Sequence, residues 1–302
     1  MCIRDRVNRL NPNPPYPIAA GPVRPKRLPA IFFRTCCQQP FHFSGRAAAW
    51  AFRSLDRRCR TGFIASRALS KDSTMSQRPE VIRDITRGSA DVVQKAATFQ
   101  AAILADVAGR RGTMHGRVAP VHQSMKVAGP AFTVEVRPGD NLMIHAAIAL
   151  AQPGDVLVID GKGDQTAALM GTLMLSACKK RGLAGVIVDA SIRDKLEILE
   201  LDFPVCSAGF NPAGPTKYVP GRINHPISAG GAVVNPGDLV VGDADGVVVI
   251  EREKAPAMLA LADKKVADEA ARIEAIARGD TASKWLPAAL RAAGVLKDGE
   301  SL

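Results

Sequence analysis

The sequence predicts an α/β fold built on a mixed, largely parallel central sheet. Three short apolar runs, over residues 156–159, 185–189 and 204–207, have the length of strands that are buried on both faces. Segments with helical spacing of apolar residues lie between these runs. Such an alternation of strands and helices is typical of a parallel sheet covered by helices.

The other elements of this sheet follow from the same patterns in chain order. A polar loop precedes a run rich in strand-forming residues, and Gly182 ends a long helical stretch. We expect a helix over residues 89–108, a strand over 127–136, a helix over 141–151, a loop over 161–164, a helix over 166–181 and a short helix near 196–201.

Short β-branched runs dominate the later part of the chain. Asp245-Gly246 stands between two of these runs and predicts a hairpin with a type I′ turn, which needs positive φ at both central residues. Pro-Gly-Asp occurs three times, at residues 138–140, 153–155 and 236–238. Each copy predicts a tight turn that leads into the next element and has no chemical role.

The first 74 residues differ from the rest of the chain. They hold 14 Lys/Arg and 3 Asp/Glu, whereas the remaining 228 residues hold 26 of each sign. They are also rich in proline, and the opening six residues look like translated sequencing adapter, so Met75 reads as the natural start. An Arg-rich, acid-poor segment is also typical of an organelle transit peptide. We interpret residues 1–74 as a non-native or disordered leader, 75–284 as one folded domain with a last helix over 255–278, and 285–302 as a peripheral tail.

The composition of residues 75–302 argues against several classes of partner. This part has no surplus of positive charge, so we expect no binding to nucleic acid. Its apolar runs fall short of the about 20 residues that a membrane span needs, so we expect no membrane association. Cys178 and Cys206 are too few for a disulfide framework or a zinc site. A cytoplasmic protein is the expectation.

Arg193 and Asp194 are the strongest candidates for chemistry. They come directly after the buried run that contains residues 185–189, and ligand sites of α/β folds lie at the carboxyl ends of strands. The planar guanidinium of Arg193 can donate two hydrogen bonds to a carboxylate. The carboxylate of Asp194 is a hard ligand suited to Mg²⁺ or Mn²⁺. The pair therefore predicts a site for a small oxo-acid and a divalent metal.

Gly171 has two interpretations within the predicted helix over 166–181. A glycine inside a helix costs about 1 kcal/mol relative to alanine, so Gly171 can mark a break where a second helix starts and points free amides at an anion. Alternatively it allows the helix to pack closely on the sheet, and spacing leaves both interpretations open. Asn141 and His145 share a helix face at i, i+4, for which we favour capping or packing. No nucleophile triad or phosphate loop stands out.

Taken together, six segments of the chain resemble the RraA-like family. The enzymatic branch of that family contains the class II 4-hydroxy-4-methyl-2-oxoglutarate and 4-carboxy-4-hydroxy-2-oxoadipate aldolases, which also decarboxylate oxaloacetate. The resemblance implies an α/β/β sandwich of the swivelling type that assembles as homotrimers or hexamers, with active sites between subunits. The segments are Gly129-Pro130-Ala131-Phe132-Thr133, Pro138-Gly139-Asp140-Asn141, residues 154–161, Gly171-Thr172-Leu173-Met174, residues 185–194, and residues 236–238 with 243–247.

The resemblance also implies roles for individual residues in a lyase that releases pyruvate. Asp194 would hold Mg²⁺ or Mn²⁺ partly through waters, and Arg193 would neutralise the keto oxygen of a 2-oxo-acid. Glu269 of a neighbouring subunit would orient a water that carries the proton. The carboxylate of the substrate would sit on the main-chain amides of the segment Gly171, Thr172, Leu173 and Met174.

One position departs from the aldolase pattern. Thr172 stands where the aldolases have an aspartate ahead of their Arg-Asp pair, so the resemblance does not identify the physiological substrate. An alternative from another class is a non-enzymatic RraA-like regulator that binds RNase E or another RNA-processing enzyme. Such regulators tend to lack the aspartate that matches Asp194, and its presence here favours the enzyme.

Overall fold

A mixed eight-stranded sheet organises the part of the chain that the computed structural model describes, residues 80–297 and 299–301. The predicted leader over residues 1–74 lies outside these described residues. The strands are β1 (Ala119–Pro120), β2 (Val127–Glu135), β3 (Val156–Ala168), β4 (Gly185–Ile192), β5 (Val205–Phe210), β6 (Arg222–Ile223), β7 (Ile227–Ala229), β8 (Ala232–Val234), β9 (Leu239–Asp243) and β10 (Gly246–Ile250). The helices are α1 (Ala90–Ala96), α2 (Ala101–Val107), α3 (Leu142–Leu150), α4 (Thr172–Lys180), α5 (Lys195–Glu200), α6 (Ala255–Ala277) and α7 (Leu286–Ala292).

The strand order confirms the predicted fold class. The sheet runs β1-β5-β4-β3-β2-β9-β10, and β2, β3, β4 and β5 pair in parallel. The strands β9 and β10 join antiparallel, while β6 pairs with the last residues of β2. Because β3 and β4 are parallel neighbours, their carboxyl ends meet at one edge of the sheet.

Alternate side chains of the central strands pack into two separate hydrophobic cores, one on each face of the sheet. Leu157 and Ile159 pack with α3, α4 and α5 on one face, through residues such as Ile144 and Leu175. Val156 and Val158 pack on the other face against the hairpin of β7 and β8. The result is the α/β/β layering that the family resemblance implied. A third core joins α1, α2 and the first half of α6 to β9 and β10.

The predicted helix over residues 89–108 is wrong as a single element, because it is broken into α1 and α2. The hydroxyl of Thr98 donates to the Lys95 carbonyl at 2.7 Å and ends the first helix. The amide of Ala101, in the first turn of α2, then donates to the carboxylate of Asp243 at 2.8 Å. A cap supplied by a distant hairpin therefore starts the second helix, and local spacing does not reveal it.

The predicted loop over 161–164 and the predicted helix start at 166 are also wrong. β3 continues to Ala168 through an irregular stretch in which Lys162 and Gly163 have φ of 61° and 69°. The amides of Ala168 and Leu169 donate to Ala213 and Ser191 carbonyls, which holds the chain extended. These tertiary hydrogen bonds override the helical preference of the local sequence, so α4 begins only at Thr172.

The turns lie where the sequence predicts them, but one of them, the hairpin turn between β9 and β10, is of a different type from the one predicted. The glycines of the three Pro-Gly-Asp turns all have positive φ, between 73° and 87°. The hairpin of β9 and β10 turns at Ala244 and Asp245, and neither of these has positive φ. Gly246 instead follows the turn with φ 125°, so the predicted type I′ turn centred on Asp245-Gly246 is wrong.

The C-terminal region is helical over most of the length that was predicted. α6 spans Ala255–Ala277, and α7 within the predicted tail buries none of its residues.

Over the residues that the structure describes, no helix combines the length and the apolar character that crossing a membrane requires.

Candidate functional site

Arg193 and Asp194 lie where β4 gives way to α5, as the sequence predicted. The amide of Arg193 donates to the Met170 carbonyl at 3.0 Å, which ties the end of β4 to the segment before α4. Asp194 adopts the left-handed conformation, with φ 67° and ψ 46°. This conformation costs an L-residue about 1 kcal/mol, and such strain is concentrated at functional sites. Both side chains reach solvent, with 46% and 37% of their surfaces exposed.

Gly171 brings the start of α4 against this pair. It is the residue before the helix and has an extended backbone, φ −148° and ψ −174°. A Cβ at this position would lie 2.4 Å from Oδ2 of Asp194 and 3.1 Å from Cγ of Arg193. Gly171 therefore marks the break after which α4 starts, and the close approach that requires glycine is to Asp194 rather than to the sheet.

The four amides of the Gly171–Met174 segment are not equally available. The amide of Thr172 donates to Oδ2 of Asp194 at 3.0 Å, and that of Met174 donates to the Gly171 carbonyl at 3.1 Å. The amides of Gly171 and Leu173 have no acceptor in the described part of the chain. These two amides, rather than all four, remain for an anion.

An open cavity of about 190 Å³, here called the α4 cavity, lies in front of this helix start. It brings Gly171, Arg193 and Asp194 together with Lys217 and His145, neither of which the sequence pattern marked as a site residue. The lining residues are Asn141, His145, Ala168, Leu169, Met170, Gly171, Leu173, Met174, Arg193, Asp194, Pro215 and Lys217.

Asn141 forms the buried wall of the α4 cavity. Its side chain is 2% exposed, and Nδ2 donates to the Leu169 carbonyl at 2.9 Å. Oδ1 of the same side chain has no hydrogen-bond partner. Capping or packing was the expected role of Asn141. It precedes α3 but makes no side-chain capping bond, and its bond to Leu169 agrees with packing. The i, i+4 spacing with His145 was the available signal that both residues face one place.

Lys217 reaches the cavity from a loop that Asp140 holds. The carboxylate of Asp140 accepts hydrogen bonds from the Thr216 hydroxyl at 2.6 Å and from the Tyr218 amide at 2.8 Å. Burial opposes the ionisation of Asp140, but these bonds and those from the Leu142 and Val219 amides lower its pKa to about 2. The aspartate of a Pro-Gly-Asp turn thus fixes a cationic loop. Nothing local to residue 217 indicates this.

Asp194 is the residue of this site that fits a divalent cation. Its Oδ2 accepts the Thr172 amide, whereas Oδ1 accepts no hydrogen bond and lies 3.9 Å from Nε of Arg193. Mg²⁺ in proteins commonly takes one or two carboxylates and keeps several waters, so a single free carboxylate oxygen suffices as an anchor. Within the described residues no group of three or more His, Cys, Asp or Glu converges on one point.

Thr172 lies beside Asp194, where the aldolases have an aspartate, but its side chain makes no hydrogen bond there. Its hydroxyl is buried and has no hydrogen-bond partner in the described part of the chain. An unsatisfied buried hydroxyl is unfavourable by about 1–3 kcal/mol.

Glu269 is not among the residues that line the α4 cavity. It lies on α6, where Lys265 contacts its carboxylate at 3.2 Å and that of Asp106 at 3.0 Å. Its role across a subunit boundary therefore stays a prediction.

Cys178 and Cys206 are buried, and burial raises the pKa of each thiol to about 12, which excludes them as thiolate nucleophiles near neutral pH.

Known proteins resemble this chain over the same region. A protein of Halalkalibacterium halodurans named "Putative 4-hydroxy-4-methyl-2-oxoglutarate aldolase" is 40% identical over 192 residues, which cover 64% of this chain and 91% of that protein. An Arabidopsis thaliana protein, "Putative 4-hydroxy-4-methyl-2-oxoglutarate aldolase 3", is 32% identical over 126 residues, or 42% of this chain and 75% of its own length.

Solved structures share the fold. The structure of Streptomyces coelicolor RraAS2, described as an unusual member of the RNase ES inhibitor RraA protein family, superposes with a TM-score of 0.58 and 30% identity. The match covers 63% of this chain and 99% of that one. The family described as Aldolase/RraA matches residues 89–249, and this chain therefore belongs to the RraA-like family.

Proposed function

We propose that the protein is a divalent-metal-dependent class II aldolase, a lyase that releases pyruvate from 4-hydroxy-2-oxo-acids and from oxaloacetate. The observation that carries this proposal is the junction of Arg193 and Asp194 with the first turn of α4, at the mouth of one cavity. The names of the relatives support an aldolase. The candidate substrates are 4-hydroxy-4-methyl-2-oxoglutarate, 4-carboxy-4-hydroxy-2-oxoadipate and oxaloacetate.

The substrate carboxylate binds the free amides of Gly171 and Leu173. Both amides lie at the N-terminal end of α4, where the helix dipole adds a favourable interaction with negative charge. Arg193 lies next to the keto oxygen and neutralises it. Arg193 and Lys217 line the cavity together with one carboxylate, Asp194, so the lining favours an anionic substrate.

Asp194 holds the metal, and Mg²⁺ or Mn²⁺ when bound supplies positive charge to the oxo group of the substrate. In the aldol cleavage, the C4 hydroxyl loses its proton, the bond between C3 and C4 breaks, and its electron pair forms the enolate of pyruvate. C4 leaves as a carbonyl, and C3 then takes up a proton. Arg193 stabilises the negative charge that develops on the enolate oxygen, which is commonly the largest contribution to such a reaction. In oxaloacetate the same bond breaks and releases carbon dioxide.

Proton transfer needs a group that Arg193 and Asp194 do not provide. We propose that Glu269 of a neighbouring subunit orients a water that accepts the C4 proton and returns one to C3. This requires a homotrimer or a hexamer in which α6 of one subunit lies near the α4 cavity of the next. No lysine forms a Schiff base in this mechanism.

The test is pyruvate release from the three substrates by protein that has been stripped with EDTA and then supplied with Mg²⁺ or Mn²⁺. We expect activity only after metal is restored, and a loss of at least about 100-fold in kcat/KM for Arg193→Lys, because lysine lacks the planar fork. Arg222→Lys, an exposed arginine paired with Glu80, is the matched control. Equal turnover in EDTA, or in Arg193→Lys, would contradict the proposal.

A second candidate function is an interaction with an RNA-processing enzyme. The observation that favours it is the match to RraAS2 over 99% of that chain. The test is inhibition of RNase E cleavage of a model RNA by the purified protein, with Arg193→Lys as a variant that should inhibit equally. Inhibition without metal-dependent pyruvate release would favour this function over the aldolase.

A further inference from the structure

A second cavity adjoins Arg193 and Asp194. It measures about 340 Å³, compared with about 190 Å³ for the α4 cavity, and we call it the Phe210 cavity. Arg193 and Asp194 line both cavities, so the two cavities meet at the proposed catalytic pair. The residues that line the Phe210 cavity are Arg193, Asp194, Lys195, Phe210, Asn211 and Pro212.

The Phe210 cavity pairs an aromatic ring with a free cation. Phe210 is the last residue of β5 and leaves 42% of its surface exposed, so its ring is accessible to a ligand. Nζ of Lys195 lies 4.9 Å from the centre of this ring, a cation–π distance. Lys195 has no ion pair in the described part of the chain, so its charge is available to a ligand.

The remaining wall of this cavity is fixed. Nδ2 of Asn211 donates to the Gln165 carbonyl at 2.7 Å, and its Oδ1 accepts the Ala213 amide at 2.8 Å. Both polar ends of Asn211 therefore have a partner, which fixes the position of this side chain. The lining thus offers a ligand one apolar ring, one cation and the shared catalytic pair.

We infer that the Phe210 cavity binds the half of the substrate that leaves, and that Lys195 is the residue that favours a leaving half with a carboxylate over one without. This inference rests on the proposed function, which places the pyruvate half in the α4 cavity. The bond between C3 and C4 that breaks then lies at Arg193 and Asp194. C4 and the groups attached to it extend from there into the Phe210 cavity. Lys195 binds the distal carboxylate, and Phe210 packs against the carbon chain that bears it.

The experiment compares two substrates that differ only at that distal group. The first is 4-hydroxy-4-methyl-2-oxoglutarate, and the second is 4-hydroxy-4-methyl-2-oxopentanoate, in which a methyl replaces the distal carboxylate. The measured quantity is the ratio of their kcat/KM values. We expect Lys195→Met to lower this ratio about tenfold and Lys195→Arg to retain it, whereas Phe210→Ala lowers kcat/KM for both substrates.

Lys180→Met is the matched control, because Lys180 is an exposed lysine at the end of α4 that lines neither cavity. An unaltered ratio in Lys195→Met, with native circular dichroism, would overturn the inference. So would a loss of the ratio in Lys217→Met and not in Lys195→Met, because the distal carboxylate would then lie in the α4 cavity.

Binding separates failure of this inference from failure of the proposed function. If neither substrate yields pyruvate, the aldolase proposal fails, and calorimetric titration with 2-oxoglutarate and 2-oxopentanoate in Mg²⁺ decides the inference alone. We expect the wild type to bind 2-oxoglutarate more tightly and Lys195→Met to lose that preference. Equal affinities for the two acids in the wild type would overturn the inference.

Discussion

The carboxylate of Asp194 accepts the main-chain amide of Thr172 at 3.0 Å, across 22 positions of the chain. One oxygen of Asp194 thereby completes the first turn of α4, where an amide otherwise lacks a partner. The other oxygen stays free of hydrogen bonds at the cavity. A single side chain thus has a structural and a chemical function, and substitutions at this position can separate the two.

Asp194→Asn should remove the chemistry and keep the structure. Asparagine retains an oxygen that can accept the Thr172 amide, and it tolerates the left-handed conformation better than most residues. We expect kcat/KM for pyruvate release to fall at least about 100-fold while Tm stays within about 2 °C of wild type. Asp194→Ala should lose activity and also several degrees of Tm, because it removes the cap. Substantial metal-dependent turnover in Asp194→Asn would exclude Asp194 as the metal ligand.

Gly171→Ala should disrupt the site by contact alone. The backbone of Gly171 is extended and any residue can adopt it, but a Cβ would lie 2.4 Å from Oδ2 of Asp194. We expect the carboxylate to be displaced, with a Tm loss of several degrees and activity reduced at least about tenfold. Gly88→Ala is the control, because a Cβ there meets nothing within 4 Å. Equal Tm and activity in the two alanine variants would contradict the packing that we describe.

The sequence indicates the centre of the site better than its rim. Arg193 and Asp194 stand out because they follow the apolar run over residues 185–188 within a few positions, and the length of that run favours a buried strand. The segment before Gly171 is mispredicted as helix, since its extended form depends on carbonyls of Ser191 and Ala213 that lie far along the chain. Lys217 is missed for a similar reason, because its loop is positioned by a distant aspartate and has no periodic pattern.

Thr172→Asp should make the thermal stability of the protein depend on bound metal. A carboxylate at this position would lie near that of Asp194, and two like charges repel each other in the absence of a cation. We expect Tm in EDTA to fall by about 2–4 °C and Mn²⁺ affinity to rise about tenfold, so that Mn²⁺ restores the lost stability. Thr172→Asn, which has nearly the same shape without charge, is the control. Equal Mn²⁺ affinities of the aspartate and asparagine variants by titration calorimetry would show that position 172 does not face the metal.

Asp140→Asn should loosen the loop that carries Lys217. The pKa of Asp140 is lowered from its ordinary value of 3.8 to about 2, which corresponds to about 2 kcal/mol of stability near neutral pH. Because the folded-state pKa is the lower one, this contribution is complete above about pH 5 and is lost as the pH falls toward 2.

The measurement for Asp140→Asn is urea unfolding between pH 2.5 and 7. The difference in unfolding free energy between wild type and variant should be constant above about pH 5 and shrink below about pH 4. Asp91→Asn, at an exposed residue in the first turn of α1, should show no such dependence. A difference that is the same at pH 2.5 and pH 7 would refute the role of Asp140.

The last prediction concerns a site shared between subunits. α6 buries Ala255, Leu259 and Ala262 in its first half, whereas Val266 and Ile273 in its second half are 44% and 67% exposed. The helix therefore packs on its own domain only at its beginning. The sequence pattern of Val266, Ala270, Ile273 and Ala277 gives the rest a narrow apolar stripe that a neighbouring subunit can cover.

If Glu269 serves the cavity of the next subunit in a closed ring, two inactive variants should complement each other. Asp194→Asn lacks the metal ligand, and Glu269→Gln lacks the group proposed to orient water, so each homo-oligomer should be inactive.

Unfolding and refolding the two variants together yields mixed rings in which some interfaces carry both an intact Asp194 and an intact Glu269. For a trimer refolded from equal amounts, two of the eight arrangements are homo-oligomeric and the other six each contain one intact site of three. The mixture should therefore recover about a quarter of wild-type turnover, because one site in four is intact on average. Refolding Asp194→Asn with Lys180→Met, which is intact in both groups, calibrates the yield. No recovery, or full activity in a monomer measured by light scattering, would exclude the shared site.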